Sequence, residues 1–161
     1  MGVGWSESEC QQRREICSLR FIGTHLQTVD PKGRIVLPAR FKRLLTPTDQ
    51  DTLVLTGGRE NCLLLYPLGE WTRLAEILDG LPKSEAKRDA IRTISDNTPE
   101  LELDANGRVT VPREFLDKVG IEREVALVGQ LRYIEIWARA SYEQGSEKRV
   151  QASRDILNEI L

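Results

Sequence analysis

A passage of fifteen residues is written twice in this chain. Val29-Asp30-Pro31-Lys32-Gly33-Arg34-Ile35-Val36-Leu37-Pro38-Ala39-Arg40-Phe41-Lys42-Arg43 returns as Leu103-Asp104-Ala105-Asn106-Gly107-Arg108-Val109-Thr110-Val111-Pro112-Arg113-Glu114-Phe115-Leu116-Asp117. Asp, Gly, Arg, Pro and Phe recur in place, and Val29/Leu103, Ile35/Val109 and Leu37/Val111 keep their apolar character. A duplicated unit limits the fold to an architecture in which two copies of one supersecondary motif cover each other.

Each copy has a legible local chemistry. The Asp carboxylate can accept backbone N–H bonds from the residues after it, and the Gly three positions on suits a left-handed turn position that a β-carbon disfavours. The runs Arg34-Ile35-Val36-Leu37 and Arg108-Val109-Thr110-Val111 predict short strands. Pro38 and Pro112 fit the first position of a helix, where the missing N–H has no partner anyway. The helices that follow are expected over residues 39–45 and 113–119, with Phe41 and Phe115 on the faces turned to the core.

The rest of the chain fits around these motifs. A first strand is expected over residues 21–29, a loop over 46–51, and a hairpin from Thr52-Leu53-Val54-Leu55-Thr56 through Gly57-Gly58 to Cys62-Leu63-Leu64-Leu65-Tyr66. Pro67 opens an amphipathic helix bearing Leu68, Trp71, Leu74, Ala75 and Leu78, and a second charged helix is expected over 83–94. In the second copy a strand over 100–103 leads in, and residues 124–128 and 131–137 form the hairpin around Gly129-Gln130. Trp137 through Tyr142 echoes Tyr66 through Trp71, so the repeat extends beyond the turn motif. The expected organisation is an extension at 1–19, a first repeat at 20–82, a connecting helix at 83–98, a second repeat at 99–145 and a helical tail at 146–161.

The doubled Asp-x-x-Gly-Arg turn, followed by a β-run, Pro and a Phe-bearing helix, resembles the MraZ family of bacterial transcription regulators. So do the closing strands Cys62-Leu63-Leu64-Leu65-Tyr66-Pro67 and Tyr133-Ile134-Glu135-Ile136-Trp137. The resemblance spans roughly residues 20 to 145 and implies a β-rich α+β fold related to the AbrB/MazE group. That fold is a double-split β-barrel of two tandem swapped-hairpin ββαββ repeats with peripheral helices. It also implies assembly into a homo-oligomeric ring and binding to double-stranded DNA, at short direct repeats in the promoter of the cell-division and cell-wall gene cluster. The family pattern begins near Phe21, so residues 1–19 are expected to be an upstream-start extension or a lineage-specific arm, with Arg13-Arg14 a minor candidate for DNA contact.

A net charge of −2 argues at first against nucleic acid, since phosphate affinity comes mostly from Lys and Arg. The distribution of the charge argues the other way. Residues 29–43 hold Lys32, Arg34, Arg40, Lys42 and Arg43 against Asp30, whereas residues 103–117 hold Arg108 and Arg113 against Asp104, Glu114 and Asp117. What the copies share is explained by folding, so Asp30, Gly33, Asp104, Gly107 and Arg108 are read as the structural turn motif. What they do not share points to DNA: Lys32 at a turn tip, and Arg40, Lys42 and Arg43 on the helix. For Arg34 the resemblance implies DNA contact, and guanidinium can bridge guanine O6 and N7 or two phosphate oxygens. A purely structural role holding Asp30 stays open. Arg20 and His25 on the incoming strand are further, weaker candidates.

Other classes fare poorly. The chain has one histidine and no GxSxG, Walker A, GxGxxG or HExxH pattern, so no catalytic residues and no cofactor are expected. Cys10, Cys17, Cys62 and His25 match no zinc spacing, so no metal is expected, and the odd, unpatterned cysteines suit a reducing compartment. With no apolar run of about 18–20 residues and no signal-like start, a cytoplasmic, nucleoid-associated protein is expected. The rival reading is an antitoxin-like or scaffold module that uses the same fold to bind protein.

Overall fold

In the computed structural model, which describes residues 20–161, the first copy runs β1 (Thr24–Thr28), β2 (Arg34–Val36), α1 (Ala39–Lys42), β3 (Thr52–Gly57), β4 (Leu63–Pro67) and α2 (Leu68–Asp79). Helix α3 (Glu85–Asp96) connects it to β5 (Glu100–Glu102), β6 (Arg108–Thr110), α4 (Arg113–Lys118), β7 (Glu124–Gly129), β8 (Ile134–Ala138) and α5 (Arg139–Gln144), and α6 (Ser146–Ile160) closes the chain. The expected extension at residues 1–19, with Arg13-Arg14, Cys10 and Cys17, lies outside the described residues.

The two copies exchange strands. One antiparallel sheet has the order β1-β7-β8-β4-β3-β5, so each copy's first strand pairs with the other copy's hairpin. A second sheet is the pair β2-β6. The register obeys a pseudo-two-fold: Thr28 lies opposite Glu124, and Glu102, the counterpart of Thr28, lies opposite Thr52. On the axis itself, Ile35 faces Val109 and Leu64 faces Glu135. Three-residue strands such as β2 and β6 are marginal by themselves, so the exchange supplies the pairing that neither copy holds alone.

The exchange also builds the core. Strands β4 and β8 alternate buried and half-buried residues, placing Leu63 and Leu65 beside Ile134 and Ile136. Phe41, Leu53, Leu55, Leu116, Ile121 and Leu127 join them at 1 % exposure or less, and Phe115 at 6 %. Each such side chain contributes roughly 1.5–3 kcal/mol relative to leaving it in water.

The structure departs from the expected elements in several places. The first strand begins at Thr24, because Gly23 at φ +119° breaks it from Phe21, which instead bridges to Leu131 through backbone bonds of 2.8 and 2.9 Å. Helix α1 stops at Lys42, and Leu44 and Leu45 continue only as tighter turns, donating to Phe41 and Lys42 carbonyls. The region 46–51, expected as plain loop, holds a one-turn 3₁₀ helix at Pro47–Asp49. There the buried Asp49 accepts from the Thr46 N–H and, 2.9 Å away, from the Gly69 N–H in the first turn of α2. A carboxylate at a helix N-terminus is favourable both as a cap and by the helix dipole. Strand β8 starts at Ile134, since residues 130–133 form a turn with Leu131 at φ +64°. Helix α3 starts at Glu85, where the Ser84 hydroxyl accepts from Lys87 N–H at 3.0 Å. Beyond β8 the helical course breaks at Gly145, and α6 is tied back by Arg149, which donates to the Tyr142 carbonyl at 2.7 Å and lies over the Tyr142 ring.

Candidate nucleic-acid interface

The two turns are chemically the same object. In the first, Asp30 Oδ1 accepts from the N–H groups of Lys32 and Arg34, both at 2.9 Å, and Oδ2 accepts from Arg34 Nε at 2.5 Å. In the second, Asp104 Oδ1 accepts from Asn106 and Arg108 N–H, both at 2.9 Å, and Oδ2 from Arg108 Nε at 2.8 Å. Gly33 and Gly107 close the turns at φ +81° and +73°, donating to the Asp30 and Asp104 carbonyls. The backbone N–H of the following Arg is the largest influence holding both carboxyls below the ordinary carboxylate value; partial burial pushes the other way, and the guanidinium adds to the lowering.

This geometry bears directly on Arg34. Its bond to Asp30 uses Nε and leaves the two terminal guanidinium nitrogens outside that bond. Holding the turn and meeting a phosphate or a base are therefore compatible tasks for one side chain.

The residues that differ between the copies divide into two kinds. Lys32, Arg40, Lys42 and Arg43 are exposed, and none forms an ion pair among the described residues. On α4, by contrast, Arg113 pairs with Asp117 at 3.1 Å. One difference does have a folding reason that pattern comparison misses: Leu116, the counterpart of Lys42, is fully buried and packs beneath Gly33. The same helix position serves the core in one copy and solvent in the other.

Arg20 lies elsewhere. It lines a cleft of about 340 Å³ with Phe21, Thr46, Asp49, Glu70 and Arg132, and neither turn contributes to that cleft. His25 sets its ring edge-on against Phe41, 4.8 Å between centroids, with Nε2 buried and without a hydrogen-bond partner among the described residues. Among the described residues no three of His, Cys, Asp and Glu gather in a metal-holding group.

A second feature lies away from both turns. Helices α2 and α3 bury no residue, and between them Trp71, Leu74, Ala75, Leu78, Ile91 and Ile94 line an apolar cleft of about 450 Å³. Its signal in the sequence is the apolar stripe on each helix, but a stripe does not say whether the chain's own core will cover it.

Comparison with known proteins adds an independent line. The family model described as "MraZ protein, putative antitoxin-like" matches twice, at residues 20–93 and 94–158. A protein of Christiangramia forsetii is 34% identical over 145 residues, covering 89% of this chain and 94% of its own length. A protein of Heliobacterium modesticaldum is 32% identical over 142 residues, covering 88% of this chain and 96% of its own. One of Pelotomaculum thermopropionicum is 32% identical over 142 residues, at 88% and 95%. All three are named transcriptional regulator MraZ.

Proposed function

The chain belongs to the MraZ family, and from that membership we propose that it is a sequence-specific DNA-binding transcription regulator. It binds short direct repeats in the promoter of the division and cell-wall gene cluster, its own gene included, and works in the cytoplasm at the nucleoid. The observation that carries this reading is the set of exposed cations Lys32, Arg40, Lys42 and Arg43, none with an ion-pair partner among the described residues, together with Arg34, whose terminal guanidinium nitrogens lie outside its bond to Asp30. Unneutralised cations clustered on one scaffold supply the counterion release that drives binding to duplex DNA.

The strand-exchanged pair of sheets is read as the double-split barrel of the AbrB/MazE group. A homo-oligomeric ring presents many such barrels to successive repeats, and each weak contact gains from its neighbours by effective concentration. The exposed apolar cleft between α2 and α3 supports self-association of this kind. The same cleft favours the second reading, an antitoxin-like or scaffold module that takes a protein partner there. No helix among the described residues is long and apolar enough to cross a membrane.

Binding to a duplex carrying the chain's own upstream region, measured as a salt series, tests the proposal. The native chain binds and weakens steeply with salt, while Lys32→Ala/Arg34→Ala, with its fold checked by circular dichroism, loses affinity and shows a shallower slope. Absence of binding at low salt overturns the DNA reading in favour of the protein-binding one.

A further inference from the structure

Counted along the sequence, the positive charge belongs to the first copy and the second is slightly acidic. In space the strand exchange rearranges this. The Leu37 N–H donates to the Gly107 carbonyl and the Val111 N–H to the Gly33 carbonyl, each at 2.9 Å. Each turn is therefore seated against the start of the other copy's helix.

The consequence is plainest at Lys42. Its Nζ comes within 3.4 Å of where a β-carbon at Gly107 would stand, so the first copy's lysine lies along the second copy's turn. Arg40 on the same short helix and Arg43 at its C-cap are also exposed and without an ion pair among the described residues. The one carboxylate of that turn, Asp104, is already engaged by Arg108 Nε and two backbone N–H groups. The first turn, by contrast, lies against α4 at Leu116, near the Gly33 position, and that helix carries Glu114 and pairs Arg113 with Asp117.

We propose that the Asn106–Arg108 turn and the cations Lys42 and Arg40 of α1 and Arg43 at its C-cap form one composite site that holds the phosphodiester backbone of duplex DNA, separate in role from the Lys32/Arg34 turn. The proposal rests on the DNA-binding reading and assigns a division of labour within it. Charge complementarity selects the occupant: the site offers ammonium and guanidinium donors, and its one carboxylate is already engaged by Arg108 and two backbone N–H groups. Phosphate contacts of this kind position the protein without reading sequence, which leaves base discrimination to the Lys32/Arg34 turn.

The test uses the full chain and two duplexes of equal length, one carrying the upstream repeats and one with that sequence scrambled. Lys42→Gln/Arg43→Gln, both at exposed positions, is expected to weaken binding to both duplexes by about tenfold, leave their affinity ratio unchanged and lower the salt slope by about one to two. Asn106→Asp, which adds an anion at the second turn, is expected to weaken both duplexes as well, and to combine non-additively with Lys42→Gln/Arg43→Gln because they act on one phosphate site. Lys32→Ala/Arg34→Ala is expected to collapse the ratio between the duplexes. Unchanged affinity in Lys42→Gln/Arg43→Gln, a shifted ratio in that variant, or strict additivity with Asn106→Asp overturns the composite site while native binding still stands. Failure of the native chain to bind either duplex overturns the DNA-binding reading, and the composite site with it.

Discussion

Ile35 stands opposite Val109 in the two-stranded sheet, and the two are the same position of the two copies, each 1 % exposed. The molecule's pseudo-two-fold axis passes between them, so one contact reports on the docking of both copies at once. Truncation there opens a cavity where neither neighbour can collapse independently. Ile35→Ala is expected to cost about 2–5 kcal/mol, read as a lower urea midpoint with an unchanged slope. A change confined to Val36, exposed on the same strand, is expected to stay within about 0.5 kcal/mol.

The two turn glycines are alike in φ and unlike in surroundings. A methyl group at Gly33 would stand 2.6 Å from the Val111 carbonyl oxygen, a backbone atom, whereas at Gly107 its nearest neighbours are atoms of the flexible Lys42 side chain at 3.4 Å. Gly107→Ala is expected to cost about 1–2 kcal/mol from the left-handed backbone alone. Gly33→Ala is expected to cost more, because the β2–β6 register must shift to admit it. Paired thermal or urea unfolding of the two variants gives the order, and equal losses would count against the close approach at Val111.

Carboxylates of opposite tendency make opposite pH predictions. Asp30 and Asp104 are held below their ordinary value of 3.8, so their contribution is present above that value and is lost as pH falls through the folded value. Asp30→Asn/Asp104→Asn is therefore expected to be less stable than the native chain at about pH 7 and to lose less on acidification to about pH 3. Glu135 behaves the other way. Burial raises it above 4.5, although the Trp137 indole N–H donating to it favours the charged form. Its contribution is favourable below that value and lost as pH rises through the folded one, so Glu135→Gln, which keeps the acceptor, is expected to stabilise at about pH 7 and to make no difference near pH 4.

Cys62 is 3 % exposed, and burial first, then the charges of Glu135 and Glu60, push its thiol up to about 12. At pH 8 only about one thiol in ten thousand is thiolate, which is the reactive form. In a Cys10→Ser/Cys17→Ser background, alkylation of the native protein at pH 8 is expected to proceed only as fast as the chain opens, and to become rapid in denaturant. Fast labelling of the folded protein would contradict the burial of the β4 start.

Much of this protein is determined by its sequence alone. The duplicated Asp-x-x-Gly-Arg turns, the strands after them, the Phe-bearing helices, the hairpins and the amphipathic stripe of α2 all follow from local rules: glycine's access to positive φ, proline's place at a helix start, and the periods of strand and helix. The asymmetry of charge between Lys32 and Asn106, or Arg43 and Asp117, is equally legible, because it needs only comparison of two lines of text. Tertiary structure alone decided what meets what. No local rule states that Lys42 lies along the turn of Gly107, that Leu116 fills the core where Lys42 meets water, or that Asp49 reaches across to cap α2 at Gly69. Those contacts join residues distant along the chain, and they exist because two short strands, each too small to stand by itself, pair with the opposite copy and carry their turns and helices with them.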